Sequence, residues 1–231
     1  TNSIENLENI LRDVAVVSVE PPDGMVFDPV SVKGDTIMSD ADYHGVRVKI
    51  QGKLGSMPIW LQVDVSFANQ VTPGSITAQY PTLLDAPSFT IRGYPYETTI
   101  AEKFQAMVFL DLANDRLKDF YDIWLISRKF EIQGTVLAQA IANTFRARGT
   151  PFPDQIPTAL TERFASEKRS GWARFVKKLP AQDPIPAVFM DMLVELRAFL
   201  LPVLEAAASD RDFFSVWRVQ EGWVQQAVMT Q

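Results

Sequence analysis

The residues best equipped for chemistry in this chain are charged side chains standing where the pattern calls for apolar ones. Lys103 is the first. On a helix, Ile100, Phe104, Met107 and Val108 form one apolar stripe, and Lys103 falls inside it. An ammonium there either carries its stem along the edge of the core and its head to water, or meets an anion such as a carboxylate or a phosphate. The second feature is the run Arg116-Leu117-Lys118-Asp119-Phe120-Tyr121-Asp122-Ile123-Trp124. Its apolar residues cover most of a helix, so Asp119 and Asp122 are expected to be drawn inward. Carboxylates there need cationic or hydrogen-bonded partners. Lys118, four residues before Asp122, and Lys103 on the preceding helix are both available. Such a cluster reads either as an interhelical ion-pair network or as half of a site. Asp64 is the third feature. It alternates with Val63 and Val65 and shares a strand face with Gln62 and Ser66. That face is either simply solvated or presents a carboxylate suited to Mg²⁺.

Composition removes many alternatives. There are no cysteines, which excludes disulfides, thiol catalysis and cysteine-ligated zinc. His44 is the single histidine, which argues against a Ser-His-Asp triad or a multi-histidine metal site. No Walker loop or Gly-x-Gly-x-x-Gly occurs. The net charge of -6 argues against a wholly basic nucleic-acid-binding chain, yet allows a local basic patch. The segment holding Arg163, Lys168, Arg169, Arg174, Lys177 and Lys178 is such a patch, either a solvated helix face or a contact for an RNA backbone. Asp40-Ala41-Asp42 has the spacing of paired metal ligands but sits in a turn-rich loop, where a turn is the expected role. No apolar run is long enough to span a bilayer and no signal-peptide pattern opens the chain, so a soluble, cytoplasmic protein is expected.

The elements that must hold these residues follow two grammars. Ile4 to Val14 has helical spacing. Val46 to Ile50 and Ile59 to Phe67 alternate strictly, and the Gly52, Gly55 and Ser56 link suits an antiparallel hairpin. A connection punctuated by prolines follows, with one short strand from Phe89 to Arg92. Beyond Pro95 the pattern is helical: Tyr96 to Leu110 (with Thr99 to Glu102 as a capping box), Leu117 to Arg128, Thr135 to Arg148 stopping at Gly149, and a long helix near Ala187 to Ala207. The expected class is α+β, with a sheet domain over residues 1–94 and a helical bundle domain over 95–231.

Taken in order, Tyr43-His44-Gly45-Val46-Arg47-Val48, Val63-Asp64-Val65-Ser66-Phe67, Tyr94-Pro95-Tyr96-Glu97-Thr98, Ile100-Ala101-Glu102-Lys103 and Arg116-Leu117-Lys118-Asp119-Phe120-Tyr121-Asp122 resemble the AbiEii/AbiGii family of nucleotidyltransferase toxins. The resemblance covers roughly residues 20–180. It implies a polymerase-β-like nucleotidyltransferase domain with a helical C-terminal domain, Mg²⁺ as cofactor, an NTP substrate, an RNA acceptor that the family suggests is tRNA, and an antitoxin partner. By the same resemblance Asp64 is the third metal carboxylate, and Lys103, Asp119 and Asp122 are catalytic. Lys103, Arg116 and Lys118 would meet phosphates. The family's glycine turn and Asp-x-Asp pair precede the helix that here begins near Ile4. The expectation is therefore a shortened or degenerate member, with little transfer from this polypeptide alone. The competing expectation is a non-catalytic interaction or structural module that binds a protein such as an antitoxin.

Overall fold

The computed structural model describes residues 3–38, 44–67, 70–82, 87–180 and 185–226. It is a mixed α+β structure that divides into two compact units, Thr1–Asn69 and Gln70–Gln231. Asp40-Ala41-Asp42 lies outside the described residues. Among the described residues no helix is long and apolar enough to cross a membrane.

In the first unit, strands β1 (Met25–Met38), β2 (His44–Leu54) and β3 (Met57–Ser66) form an antiparallel sheet in that order. Leu54 pairs with Met57 across a two-residue turn in which Gly55 has φ 59°, a left-handed conformation that glycine adopts without steric penalty. Alternation places Val46, Val48 and Ile50 on one face, where helix α1 (Ile4–Ala15) covers them with Ile4, Leu7 and Leu11. Ser3 caps α1, its hydroxyl accepting from Asn6 N at 3.1 Å.

Strand β1 was not foreseen, because Pro29 and Gly34 break its alternation. A bulge between Asp28 and Lys33 absorbs the break. Side chains close it: Asp28 accepts from Val30 N, and Ser31 Oγ accepts from Gln51 N at 2.8 Å. Gly34 N donates to Glu8 Oε1 at 2.7 Å, tying α1 to β1. That bond, aided by Arg12, holds the Glu8 carboxyl below its usual range. A depressed carboxyl contributes stability that is present above its unfolded pKa and lost as pH falls through the folded one. Glu8→Gln should therefore lower the melting temperature near neutrality, with the difference from wild type closing on acidification. A difference that stays constant with pH would refute the link.

The second unit opens with a hairpin of β4 (Ile76–Tyr80) and β5 (Phe89–Gly93), the ring centroids of Tyr80 and Phe89 stacked 5.2 Å apart. Only β5 was expected; β4 is masked in sequence by the flanking prolines. Helix α2 (Tyr96–Leu110) follows. The expected capping box does not form. Pro95 is the N-cap, and Thr99 lies inside the first turn, its hydroxyl donating to Pro95 O. Pro95 already starts the helix four residues upstream, so the amides from Thr99 onward are inside the helix and leave Thr99 none to cap.

Helices α3 (Leu117–Lys129), α4 (Gly134–Ala147), α5 (Glu162–Glu167), α6 (Arg169–Val176) and α7 (Phe189–Ala208) complete the helical part. α4 ends with Gly149 at φ 59° and Thr150 N donating back to Phe145 O at 2.9 Å. Phe104, Phe120, Phe145, Phe164 and Phe199 fill one core with Ile100, Met107 and Trp172. A small antiparallel sheet not foreseen from the sequence, β6 (Ile132–Gln133), β7 (Ser215–Arg218) and β8 (Gly222–Gln225), packs on it. Its strands of two to four residues are too short to show a period.

Candidate functional site

The second unit gathers five of the six candidate residues. Helix α2 presents Lys103 and the start of α3 presents Asp119 and Asp122. Lys103 Nζ donates to Asp119 Oδ1 at 2.6 Å and lies 2.8 Å from Asp122 Oδ2. Lys103 interrupts the apolar stripe of α2, and its ammonium meets carboxylates rather than running out to water. Its side chain is 21% exposed and that of Asp119 only 7%. Burial alone would lower the Lys103 pKa, but the hydrogen bonds and charges of the two aspartates outweigh it and hold the ammonium above its ordinary value. A lysine has three N–H donors; two are aimed at these carboxylates.

Two more cations flank the pair from α3 itself. Lys118 Nζ donates to both oxygens of Asp122, at 2.8 and 2.7 Å. Arg116 Nε lies 2.9 Å from Asp119 Oδ2 but misses the directionality of a hydrogen bond. Three cations thus face two anions. Lys118 and Arg116 are 71% and 60% exposed, so their charges reach solvent, while Asp119 is buried and Asp122 only partly open. Asp119 also occupies the first turn of α3, where the amide dipoles favour an anion.

The chain enters α3 through a single 3-10 turn, Asp111–Ala113. Asn114 is fully buried, and its Oδ1 accepts from Arg116 N at 2.8 Å. Its Nδ2 has no hydrogen-bond partner. Among the described residues, Asn114 Nδ2 and Asp119 Oδ2 are the two buried side-chain atoms left in that condition, and both belong to residues 114–119. Buried polar atoms without hydrogen-bond partners are uncommon, and Asp119 Oδ2 has the Arg116 charge beside it instead.

Glu102, beside Lys103 on α2, faces another way. Its carboxyl is pushed up by burial, against the charges of Arg148 and Lys103. Arg148 Nη2 stands 3.6 Å from it, while Arg148 Nη1 donates to Gln105 Oε1. This second network ties α2 to the end of α4.

Asp64 belongs to the first unit. Arg47 on β2 grips it with Nε on Oδ1 and Nη2 on Oδ2, both at 2.8 Å, and Gln62 adds a bond at 3.2 Å. Arg47 holds the carboxyl below its usual range, so Asp64 is a standing anion. It is 44% exposed, on the face it was expected to share with Gln62 and Ser66. Arg47 itself was not singled out from the sequence, although the hairpin turn puts it opposite Asp64.

These facts test how far the described residues fit Mg²⁺. Asp64 is the candidate ligand, and a guanidinium occupies both of its oxygens. No group of three or more His, Cys, Asp or Glu suited to a metal occurs among the described residues. The described residues by themselves therefore do not compose a Mg²⁺ site.

The family model described as "Nucleotidyl transferase AbiEii toxin, Type IV TA system" matches residues 1–199. In the comparisons with curated proteins and with solved structures, nothing matches.

Proposed function

The chain belongs to the AbiEii family of nucleotidyl transferase toxins, and from that premise we propose that it serves nucleotide transfer from an NTP to an RNA acceptor, tRNA by resemblance, with Mg²⁺ as the cofactor. A polymerase-β-like core carrying Asp64 and a helical bundle carrying Lys103 belong to the same proposal. The observation that supports it is the convergence of Lys103, Asp119 and Asp122, because two of the five sequence blocks that carry the family resemblance, Ile100 to Lys103 and Arg116 to Asp122, meet at those side chains. Within this reading Asp119 and Asp122 fix the Lys103 ammonium and keep it protonated, and its third N–H is available to a phosphate oxygen. Arg116 and Lys118 offer exposed positive charge to the same phosphates. Asp64 would serve the metal only by releasing Arg47. In the setting of a type IV toxin–antitoxin system, an antitoxin is the proposed protein partner.

The test is transfer of label from each of the four α-labelled NTPs to unfractionated tRNA in the presence of Mg²⁺, using the product of the full reading frame. Lys103→Gln should reduce labelling by roughly a hundred-fold, the usual loss when one charged stabiliser of a transferring group is removed. Absence of labelling with every nucleotide, or equal labelling by Lys103→Gln, would sink the proposal.

A second reading, in which the same charges only brace α2 against α3, draws on the bonds that Asp119 and Asp122 already make to Lys103. It predicts that Lys103→Gln changes stability and leaves the turnover of the folded fraction intact.

A further inference from the structure

The charge of the chain is unevenly spread. From Lys168 to Lys178 it holds five of the 22 Lys and Arg and none of the 28 Asp and Glu. This window is α6 with its flanking residues. Lys168 turns back to Asp115, its Nζ 2.7 Å from Oδ1. Arg169, Arg174, Lys177 and Lys178 are exposed, and no described carboxylate forms an ion pair with them. Arg174 makes one long bond to Ser170 O at 3.4 Å.

Three contacts fix how α6 lies on α3. Lys168 meets Asp115, Gly171 faces Leu117 closely enough that an added Cβ would come within 3.1 Å of Leu117 Cδ1, and the rings of Tyr121 and Phe175 are 5.8 Å apart. The pairs advance together along both chains, so the two helices run in the same direction. Phe120 and Trp172 are buried on one side of this seam. Two residues along an α-helix is a rotation of about 160° the short way round. Lys118 therefore lies opposite Phe120, and Arg174 opposite Trp172, both on the solvent side. Lys177 and Lys178 continue the last turn of α6, with Lys178 one turn beyond Arg174. Arg174, Lys177, Lys178 and Lys118 line one flank of the seam, whereas Arg169, one turn before Trp172, lies on the other; Lys118 is bonded to Asp122 of the Lys103 cluster.

We infer that this flank of the α3–α6 seam is the docking strip for the phosphate backbone of an RNA, with Arg174, Lys177 and Lys178 holding phosphates and Lys118 joining the strip to the Lys103 cluster. A row of exposed cations on an otherwise acidic chain matches a polyanion with regularly spaced charges better than a single small anion. That the RNA is the acceptor of the transfer rests on the function proposed above; that it binds here does not.

The probe is fluorescein-labelled unfractionated tRNA, with Kd read by anisotropy across a salt series. Arg174→Glu/Lys177→Glu/Lys178→Glu should weaken binding roughly ten-fold or more at low salt and reduce the steepness of the salt dependence by roughly 2 to 3, since each of the three phosphate contacts contributes a little under one to that slope. The triple alanine variant should fall between it and wild type. Arg211→Glu/Arg218→Glu, which reverses exposed charge elsewhere, should match wild type. If the triple reversal binds tRNA as wild type does, if wild type does not bind tRNA, or if it prefers vesicles of phosphatidylserine and phosphatidylcholine, the strip is not an RNA dock. Should tRNA binding follow the strip while no nucleotide is transferred, the strip stands and the proposed reaction falls.

Discussion

Lys103→Met should destabilise the folded chain by roughly 3 kcal/mol, because it leaves Asp119 and Asp122 without the cation that spans α2 and α3. The low end of the range for breaking a buried pair applies, since Arg116 and Lys118 still offset part of the negative charge. The pH dependence follows from the direction of the lysine shift. The folded ammonium titrates above its ordinary value. Its contribution is therefore complete below the unfolded lysine pKa, about 10.4, and fades as pH rises through the folded pKa. Urea denaturation should show a constant gap between wild type and variant from neutral to mildly alkaline pH, closing only in strong alkali. A double-mutant cycle with Asp119→Asn should show coupling of at least about 1 kcal/mol. A variant within about 0.5 kcal/mol of wild type would mean that the cluster is not bracing the helices.

Gly134→Ala is the second large effect. Gly134 begins α4 directly after β6, where the chain passes beneath the segment leading into β7. A Cβ there would lie 2.5 Å from Phe213 Cδ1, 2.6 Å from Ser215 O and 2.8 Å from Phe213 O. Two of these atoms are backbone carbonyl oxygens that cannot rotate aside. Alanine gains up to about 1 kcal/mol of helix propensity over glycine, but forcing the sheet off the helix should outweigh it, for a net loss of about 2 kcal/mol. Gly93→Ala is the matched control, because an added Cβ meets nothing within 4 Å. Thermal melts should separate the two variants clearly; equal melting temperatures would show that the β6–β7 contact yields easily.

What could be read in the residues divides by period and by range. Helices α1 to α4 and α7 were legible because each holds an apolar stripe for three turns or more. The Arg47–Asp64 pair was legible in principle, since a two-residue turn at Gly55-Ser56 fixes every rung of the hairpin. The meeting of Lys103 with Asp119 was legible as a need, as each charge sat on a face that wanted an apolar group. The bulged strand β1 was not, because Pro29 and the extra residues hide its period. Nor was the buried Asn114, which sits in a loop whose conformation no periodicity reports. Lys168 and Asp115 are fifty-three residues apart, and only the packing of α6 on α3 brings them together.

The sheet of β6, β7 and β8 joins segments far apart in the chain. Ile132 pairs with Trp217, the Trp217 indole donates to Ser127 O at 2.7 Å, and the Trp223 indole donates to Phe199 O at 2.9 Å. During synthesis the ribosome delivers α2, α3 and α4 well before β7 exists. Until then Ile132 and Phe199, both fully buried in the finished fold, have no lid. Closing so long a loop is slow compared with forming the helices. The nascent second unit must therefore wait with an open apolar flank, and a chaperone that binds apolar segments would meet this protein there.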